Sequence, residues 1–503
     1  MKDIDEFRKH EIFEKKPRVA LVFPNYGYEE NIEKNKNASI LPPFGLLSIE
    51  ENIKDLCEVK IFDANIYPDS TSFFSELDMF LKDGGILGVS TFTRTYKQTM
   101  QEILDRYPDD SILKIIGGPF ATNMPDLTHA HIVIRGEGEL PLRQLLLQKL
   151  KDIDSIKGIY YQKNQRLVNT GKYFLKSLNQ IIPIDYDQSK LLNYRSSSVN
   201  QIELNENVFF YMSSRSCSKN CTFCNVREIN GNIKFLALET VLKDLEKGIR
   251  QGYKTIQFWD DNLLDRPEKE LKRILSLLSQ NNIKYTCLAR ADQITEEKAK
   301  FLASTGCARI FFGIESGNSE ILEFYNKRET IEQITKGIAL ANSAGILTVG
   351  GMIIGAPMET TDTIKQSIEF SQQLGLYKVM FGTLAADPGT GIFDYALKNG
   401  LIKLDHNGLF IPDEKIYGIT EPRGLPVLSR ITIPQEANMT QLLAEKEYLS
   451  EMNTKAHAAF YLRKEYVEKF YHKNTDLSVR KFVLETCRRY ADNPSDLTKL
   501  GLN

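Results

Sequence analysis

Three things are scarce in this chain, and each narrows what it can be. No apolar run approaches the ~20 residues of a membrane-spanning helix, so a membrane protein of that kind is not expected. A charge of one sign is missing too: 64 Lys and Arg stand against 66 Asp and Glu, a formal net charge of −2. That balance gives no general attraction to nucleic acid or to an anionic membrane. Histidine is rare, with six in 503 residues, none of them between His10 and His129 or between His131 and His406. What remains is ordinary for a soluble globular protein, at 42% hydrophobic and 26% charged residues. The length calls for two or three domains rather than one core. The N-terminal Met-Lys-Asp-Ile-Asp-Glu-Phe-Arg-Lys-His is charged throughout, so no signal peptide is expected there. Seven cysteines, three of them clustered, suit a reducing compartment such as the cytoplasm.

The cluster is Ser213-Ser-Arg-Ser-Cys217-Ser-Lys-Asn-Cys221-Thr-Phe-Cys224, a C-x3-C-x2-C spacing with Phe223 before the last cysteine. The run Val208-Phe-Phe-Tyr-Met212 ahead of it reads as a strand. Structural zinc wants four ligands, usually as two spaced pairs. Here Cys57, Cys287, Cys307 and Cys487 are scattered singly, and no histidine follows nearby. Three thiolates on one short loop can instead hold three irons of a cubane 4Fe-4S cluster. The fourth iron then stays open to chelate a ligand.

This motif resembles the signature of the radical S-adenosylmethionine (SAM) superfamily. The resemblance implies that Cys217, Cys221 and Cys224 are metal ligands and that SAM binds the open iron. It also implies that SAM is cleaved to a 5′-deoxyadenosyl radical, and that a small electron donor such as a flavodoxin or ferredoxin feeds the cluster. Such a cluster is oxygen-labile, which again points to the cytoplasm.

From Arg18 to about Lys151, apolar runs alternate with helical patterns. Strands are expected at Arg18–Phe23, Glu58–Asp63, Ile86–Phe92, Leu113–Ile116 and His131–Arg135, with helices such as Gly45–Leu56 and Tyr96–Tyr107 between them. The alternation predicts an α/β, doubly wound parallel sheet, whose ligands collect beyond the carboxyl ends of its strands. Those ends carry Ser90-Thr91-Phe-Thr93, Gly117-Gly118-Pro and Gly136-Glu137-Gly-Glu139. Any such sheet needs Gly and Ser in its turns. Taken with Leu41-Pro-Pro-Phe-Gly-Leu-Leu47, however, the set resembles the Rossmann-like cobalamin-binding domain found ahead of many radical SAM domains. That resemblance puts Ser90, Thr91, Thr93, Gly117, Gly118, Gly136 and Glu137 at cobalamin. It departs from the pattern in one respect: the loop Pro24–Leu41 holds no D-x-H-x-x-G histidine, and Asp63-Ala-Asn65-Ile-Tyr-Pro68 supplies neither the His nor the Gly. Cobalamin is therefore expected without a histidine below the cobalt.

From Val208 onward the alternation runs six times. Strands are expected at Val208–Met212, Thr255–Trp259, Lys284–Ala289, Arg309–Phe312, Leu347–Ile354 and Val379–Leu384. This predicts a partial (β/α)6 barrel, with its chemistry at the strands' carboxyl ends. Polar residues follow the strands in turn: Asp260 and Asp261, Arg290 and Asp292, Glu315 and Ser316, Gly351 and Gly355, Asp387. Asp260 could equally cap the next helix. By the resemblance, Asp260 and Asp261 lie near the SAM amino group, Arg290 and Glu315 near its carboxylate and ribose, and Gly351 to Gly355 near adenine. Ser316 supports them, and Glu359 closes a loop or caps a helix.

The organisation expected is residues 1–151 as the cobalamin-type domain, 152–206 as a connector with a hairpin at 158–168, 207–400 as the barrel and 401–503 as a helical cap. The cap has a loop at Pro412–Pro434, helices at Met439–Met452, Lys455–His472 and Ser478–Tyr490, and basic faces that read as solvated. The expected function is cobalamin-dependent methyl transfer to an unactivated carbon or a phosphorus of a small molecule. The alternative is a radical SAM enzyme with a degenerate cobalamin domain, carrying out dehydration, deoxygenation, rearrangement or transfer of another SAM-derived group. The GIESG type of core also occurs in tRNA modification, but no RNA-binding appendage is present beyond the basic tail. Intact strand-end motifs argue against a mere iron–sulfur sensor.

Overall fold

The computed structural model describes residues 3–7, 12–24, 40–96, 99–108, 111–187, 191, 193–195, 207–399 and 451–502. The expected loop at Pro412–Pro434 and nearly all of the helix at Met439–Met452 lie outside them.

The first sheet has seven strands: β1 (Arg18–Phe23), β2 (Glu58–Asp63), β3 (Gly85–Ser90), β4 (Ile112–Gly117), β5 (Ile132–Ile134), β6 (Ile159–Lys163) and β7 (Arg166–Asn169). Their order is β2-β1-β3-β4-β5-β6-β7. The first five are parallel and the last two antiparallel. The period-two alternation of a strand sends Val19 and Leu21 into the core on one face, and Ala20 and Val22 into the core on the other. Both faces of β1 are covered, which is why its centre reads as an unbroken apolar run. The hairpin in the segment expected as a connector is not a free-standing link: it extends this sheet at its β5 edge. The expected helix at Tyr96–Tyr107 is shorter and wider, a π-helix over Thr99–Leu104.

The second sheet has six strands, all parallel: β8 (Val208–Tyr211), β9 (Thr255–Phe258), β10 (Lys284–Ala289), β11 (Cys307–Glu315), β12 (Leu347–Ile354) and β13 (Lys378–Thr383). They stand in strict chain order, with amphipathic helices at Leu238–Arg250, Glu268–Gln280, Glu296–Ser304, Ile331–Ser343 and Thr361–Gln373 between them. A parallel sheet in sequential order with a helix after each strand is a (β/α)6 barrel, open between β8 and β13.

The open edge at β13 is finished by the C-terminal helical stretch 451–461. Three side chains spaced four apart along it bond to the main chain of the strand. Asn453 Nδ2 donates to the Phe381 carbonyl at 2.9 Å. His457 Nε2 accepts from the Phe381 N–H at 3.2 Å. Tyr461 Oη accepts from the Val379 N–H at 3.0 Å and donates to its carbonyl at 2.8 Å. One helix face thus satisfies groups that a seventh strand would otherwise pair.

Candidate functional site

The cysteine loop is built by its surroundings rather than by regular structure. It leaves β8 through a two-residue antiparallel ladder, Ser214–Arg215 against Lys234–Phe235. Ser216 then takes a left-handed backbone (φ 73°), and its hydroxyl donates to the Gly231 carbonyl at 2.7 Å. From the segment after β11, the Tyr325 carbonyl accepts from the Thr222 N–H at 2.9 Å and the Phe324 carbonyl from its hydroxyl at 3.0 Å. Asn326 Nδ2 donates to the Asn220 carbonyl at 2.7 Å. On the other side, Asp265 Oδ2 accepts from the Ser218 N–H at 3.0 Å and lies 3.7 Å from Cys217 Sγ. Phe223 packs edge-on against Tyr325 with ring centroids 5.2 Å apart.

Cys217, Cys221 and Cys224 are half-buried and unbridged. Burial raises all three thiols, that of Cys224 to about 12. At Cys221 the charges of Lys327 and Arg290 work against that rise. Thiols left protonated by burial become thiolates only by gaining cations, as metal binding provides. Among the described residues no group of three His, Cys, Asp or Glu forms a compact single-ion shell. A cubane makes no such demand, since it takes one thiolate at each of three corners. The donor set therefore fits a three-cysteine cluster.

The structure separates the two aspartates after β9. Asp260 is buried, and its carboxylate accepts from the Ser213 N–H at 3.1 Å, the Ser213 hydroxyl at 2.6 Å and the Ser214 hydroxyl. It braces the strand end before the cysteines. Asp261 lines a cavity, and burial together with the charge of Asp260 raises its pKa to about 6.

Arg290 and Glu315 belong to a buried ion network beside Cys221. Arg290 Nη2 donates to the Lys327 carbonyl at 2.7 Å, and its Nε pairs with Asp292 at 3.2 Å. Lys327 Nζ lies 3.1 Å from Glu315 and 3.4 Å from Glu329. Burial opposes the charges on Arg290 and Lys327, but the carboxylates more than offset it and both pKa values are raised. Glu315 holds a left-handed φ of 68° where the β11–β12 register shifts. Such a conformation in a non-glycine residue is costly, and it gathers at functional sites. Ser316 pairs its hydroxyl with that of Ser367 at 3.1 Å. Glu359 accepts from the N–H groups of Gly355 and Ala356 and closes that loop; burial raises its pKa to about 7.

A cavity of about 820 Å³ lies where the carboxyl ends of the two sheets meet. Its walls are mostly apolar, with Phe23, Leu41, Phe44 and Ile66 on one side and Met212 and Leu236 on the other. Ser90, Gly117, Gly118, Gly136 and Glu137 line it, as do Trp259 and Asp261. Thr91 and Thr93, expected with them, are not among its lining residues; Thr91 is fully buried. Gly136 has a structural reason as well: at φ 94° a Cβ there would lie 2.1 Å from the Tyr173 carbonyl oxygen. Glu137 is occupied, bonded to Arg215, Lys234 and the Leu175 N–H. No histidine among the described residues lines the cavity: His129 pairs with Asp105, and His131 accepts from the Lys114 N–H.

Sequence reasoning did not single out Arg215, Lys234, Asp265, Lys327 or Glu329. Arg215 and Asp265 carried a faint signal, being within a few residues of Cys217 and Asp261. Lys327 and Glu329 carried none.

A sequence model of the radical SAM superfamily matches residues 211–371. An uncharacterised methyltransferase of Pyrococcus horikoshii is 27% identical over 399 residues, covering 76% of this chain and 84% of the relative. The hopanoid C-2 methylase of Rhodopseudomonas palustris is 23% identical, covering 78% and 72%. The structure of the radical SAM methyltransferase TsrM from Kitasatospora setae, with cobalamin and a [4Fe-4S] cluster bound, superposes with a TM-score of 0.65 at 16% identity, covering 87% of this chain and 89% of that one. The cobalamin-dependent radical enzyme OxsB gives 0.58 at 18% identity, covering 97% and 70%. With this sequence match and this cysteine loop, residues 211–371 form a radical SAM domain, set in the architecture that TsrM and OxsB share.

Proposed function

We propose that this enzyme transfers a methyl group from SAM, by way of bound cobalamin, to a carbon or phosphorus of a small molecule. One observation carries the reading: the N-terminal strand ends at Ser90 and Gly117 open into the same cavity as Trp259 and Asp261 after β9, while the three cysteines, Arg290 and Glu315 are not among its lining residues. A substrate in that space is reached from both walls. The methyltransferase names of the relatives agree.

When bound, the cluster, SAM and cobalamin supply the radical and the methyl group; the protein supplies position and a dry site. Cys217, Cys221 and Cys224 would hold the cluster and leave one iron for SAM. Asp261 would take the SAM amino group, whose charge would draw its raised pKa back down. Arg290 and Glu315, held in place by the ion network around Lys327, would face the SAM carboxylate and ribose. Ser316 and Glu359 hold the backbone around them, and the stretch from Gly351 at the end of β12 to Gly355 would lie near the adenine. Ser90, Gly117, Gly118 and Gly136 form a wall of small residues against which a large flat ligand can lie. The apolar lining excludes water, which would otherwise quench or divert a reactive intermediate.

The test uses methyl-labelled SAM with anaerobically reconstituted protein, hydroxocobalamin and a flavodoxin or ferredoxin reducing system. With a true substrate, label should enter the product, and S-adenosylhomocysteine and 5′-deoxyadenosine should form in near-equal amounts. Product formed with 5′-deoxyadenosine while the label stays in methionine would refute methyl transfer and favour dehydration or rearrangement. Methylthioadenosine as the main SAM product would mean that another SAM-derived group is transferred.

A further inference from the structure

Arg215, two residues before Cys217, is committed to the other sheet. Its Nη2 donates to Glu139 Oε1 at 2.6 Å and to Ser48 Oγ at 2.9 Å, and its Nη1 to Glu137 Oε1 at 3.1 Å. Lys234, which faces Arg215 across the two-residue ladder, places Nζ 2.7 Å from Glu137 Oε2. Ser48 Oγ donates in turn to Glu139 at 2.7 Å, and the Leu175 N–H caps Glu137 Oε2 at 2.7 Å. The side chains of Arg215, Lys234, Glu137 and Glu139 are 15%, 5%, 2% and 3% exposed. Two cations meet two carboxylates, so the set is neutral as a whole. Burial alone would raise the pKa of Glu139, yet the charge of Arg215 and the hydrogen bonds from Arg215 and Ser48 hold it below the usual range.

Adhesion alone does not explain this arrangement. Taking four charges out of water is costly, and apolar side chains of similar volume would join two domains as well or better. What a multidentate charged set adds is geometry: an Arg fork has preferred directions to its carboxylates, and an apolar contact has none. Here the fork grows from the stretch that leads into the cysteines. Its acceptors grow from the strand-end turn of the opposite wall, and Arg215, Glu137 and Glu139 themselves line the cavity.

We propose that Arg215, Lys234, Glu137 and Glu139 are positioning residues that fix the separation of the two cavity walls, and with it the distance from the cysteine loop to the ligand on the N-terminal sheet. This rests on the shared-cavity reading above, but its test does not need cobalamin or substrate. Nitroxide labels go on Met79→Cys (Met79 is 66% exposed) and Lys272→Cys (Lys272 side chain 56% exposed), one on each domain, in the full chain with its cluster reconstituted. Pulsed dipolar spectroscopy of the parent should give one narrow distance distribution. In Arg215→Lys and Glu139→Gln, a second separation, populated at ~0.1–10% in a typical two-state protein, should grow into a resolved peak while iron content stays at the parent level. Should Glu139→Gln fail to fold, the paired change Arg215→Met with Glu139→Met leaves less charge buried without a partner, and should give the same second peak. A purely stabilising role would lower the melting temperature and leave a single narrow distance; that result in the variants that fold overturns the proposal. Failure of the parent enzyme to transfer methyl, with the second peak still appearing in the variants, would instead count against the functional reading alone.

Discussion

Asp260 and Ser213 stand at the ends of neighbouring strands, and both the N–H and the hydroxyl of Ser213 donate to the Asp260 carboxylate. The next residue, Asp261, faces the cavity. A single step along the chain thus divides a brace from a cavity-lining carboxylate, and the two aspartates should fail differently.

Asp260→Ala should cost ~1–3 kcal/mol of stability for the buried donors it strands, read as a fall in melting temperature. Asp261→Asn should leave the melting temperature near the parent value and weaken SAM binding by ~1.5–3 kcal/mol, the worth of a charge-assisted hydrogen bond. Calorimetry that found SAM affinity unchanged in Asp261→Asn would remove it from the SAM site.

Replacing Cys217, Cys221 and Cys224 together by Ala should abolish the absorption near ~400 nm expected of an iron–sulfur cluster and bring iron content to background. A triple variant that kept its full iron would show that the ligands lie elsewhere.

The absence of a histidine from the described cavity wall has a spectroscopic consequence. Paramagnetic resonance of the Co(II) form of bound cobalamin should show no nitrogen splitting from a protein imidazole on the lower face. Observing such splitting would mean that a histidine outside the described wall reaches the cobalt.

The edge contacts of β13 give a pH dependence. His457 Nδ1 bonds to the Asn453 carbonyl at 2.8 Å while Nε2 accepts from Phe381, so the neutral ring with its proton on Nδ1 fits both partners. Burial lowers its pKa, and the nearby charges of Lys378 and Arg489 add to that. A histidine whose folded pKa lies below its unfolded value of ~6.5 stabilises the fold above that pH. The contribution is lost as pH falls through the folded value. Melting temperature should therefore drop on acidification below about 6.5, and less steeply in His457→Gln. Tyr461→Phe, which strands the Val379 N–H and carbonyl, should cost ~1–3 kcal/mol at any pH in that range. An equally steep acid limb in parent and His457→Gln would exclude His457 as its source.

Much of the layout was legible because it is periodic. β1, β2, β10 and β12 begin and end at the expected residues, each with an apolar or β-branched centre bounded by turn residues. The cysteine motif was legible because its spacing is local. What stayed hidden depends on residues far apart in sequence. Glu137 reads as a ligand from its place in a glycine-rich turn, yet Arg215, 78 residues on, already occupies it. Thr91 and Thr93 sit at a strand end as expected, but a strand end offers only some of its side chains to the cleft. The helix at 99–104 carries the right pattern for an α-helix, and the pattern does not register that one turn is wider.

The side chains that finish β13 bond to its peptide groups, and the His457 ring also packs edge-on against Phe381 with centroids 5.3 Å apart. The bonds from Asn453 and Tyr461 follow the course of the strand, and they do not depend on the side chains at Met380 and Gly382 between the contacts. The attachment works like a generic socket. Variation at Met380 or Gly382 does not have to be matched by variation in the helix that closes the barrel, whereas Tyr490, beyond that helix, stacks on both His457 and Tyr461 and backs the attachment. The same contacts leave Val379 and Phe381 with no main-chain groups to offer a stray strand, which guards the barrel's open edge against pairing with another chain.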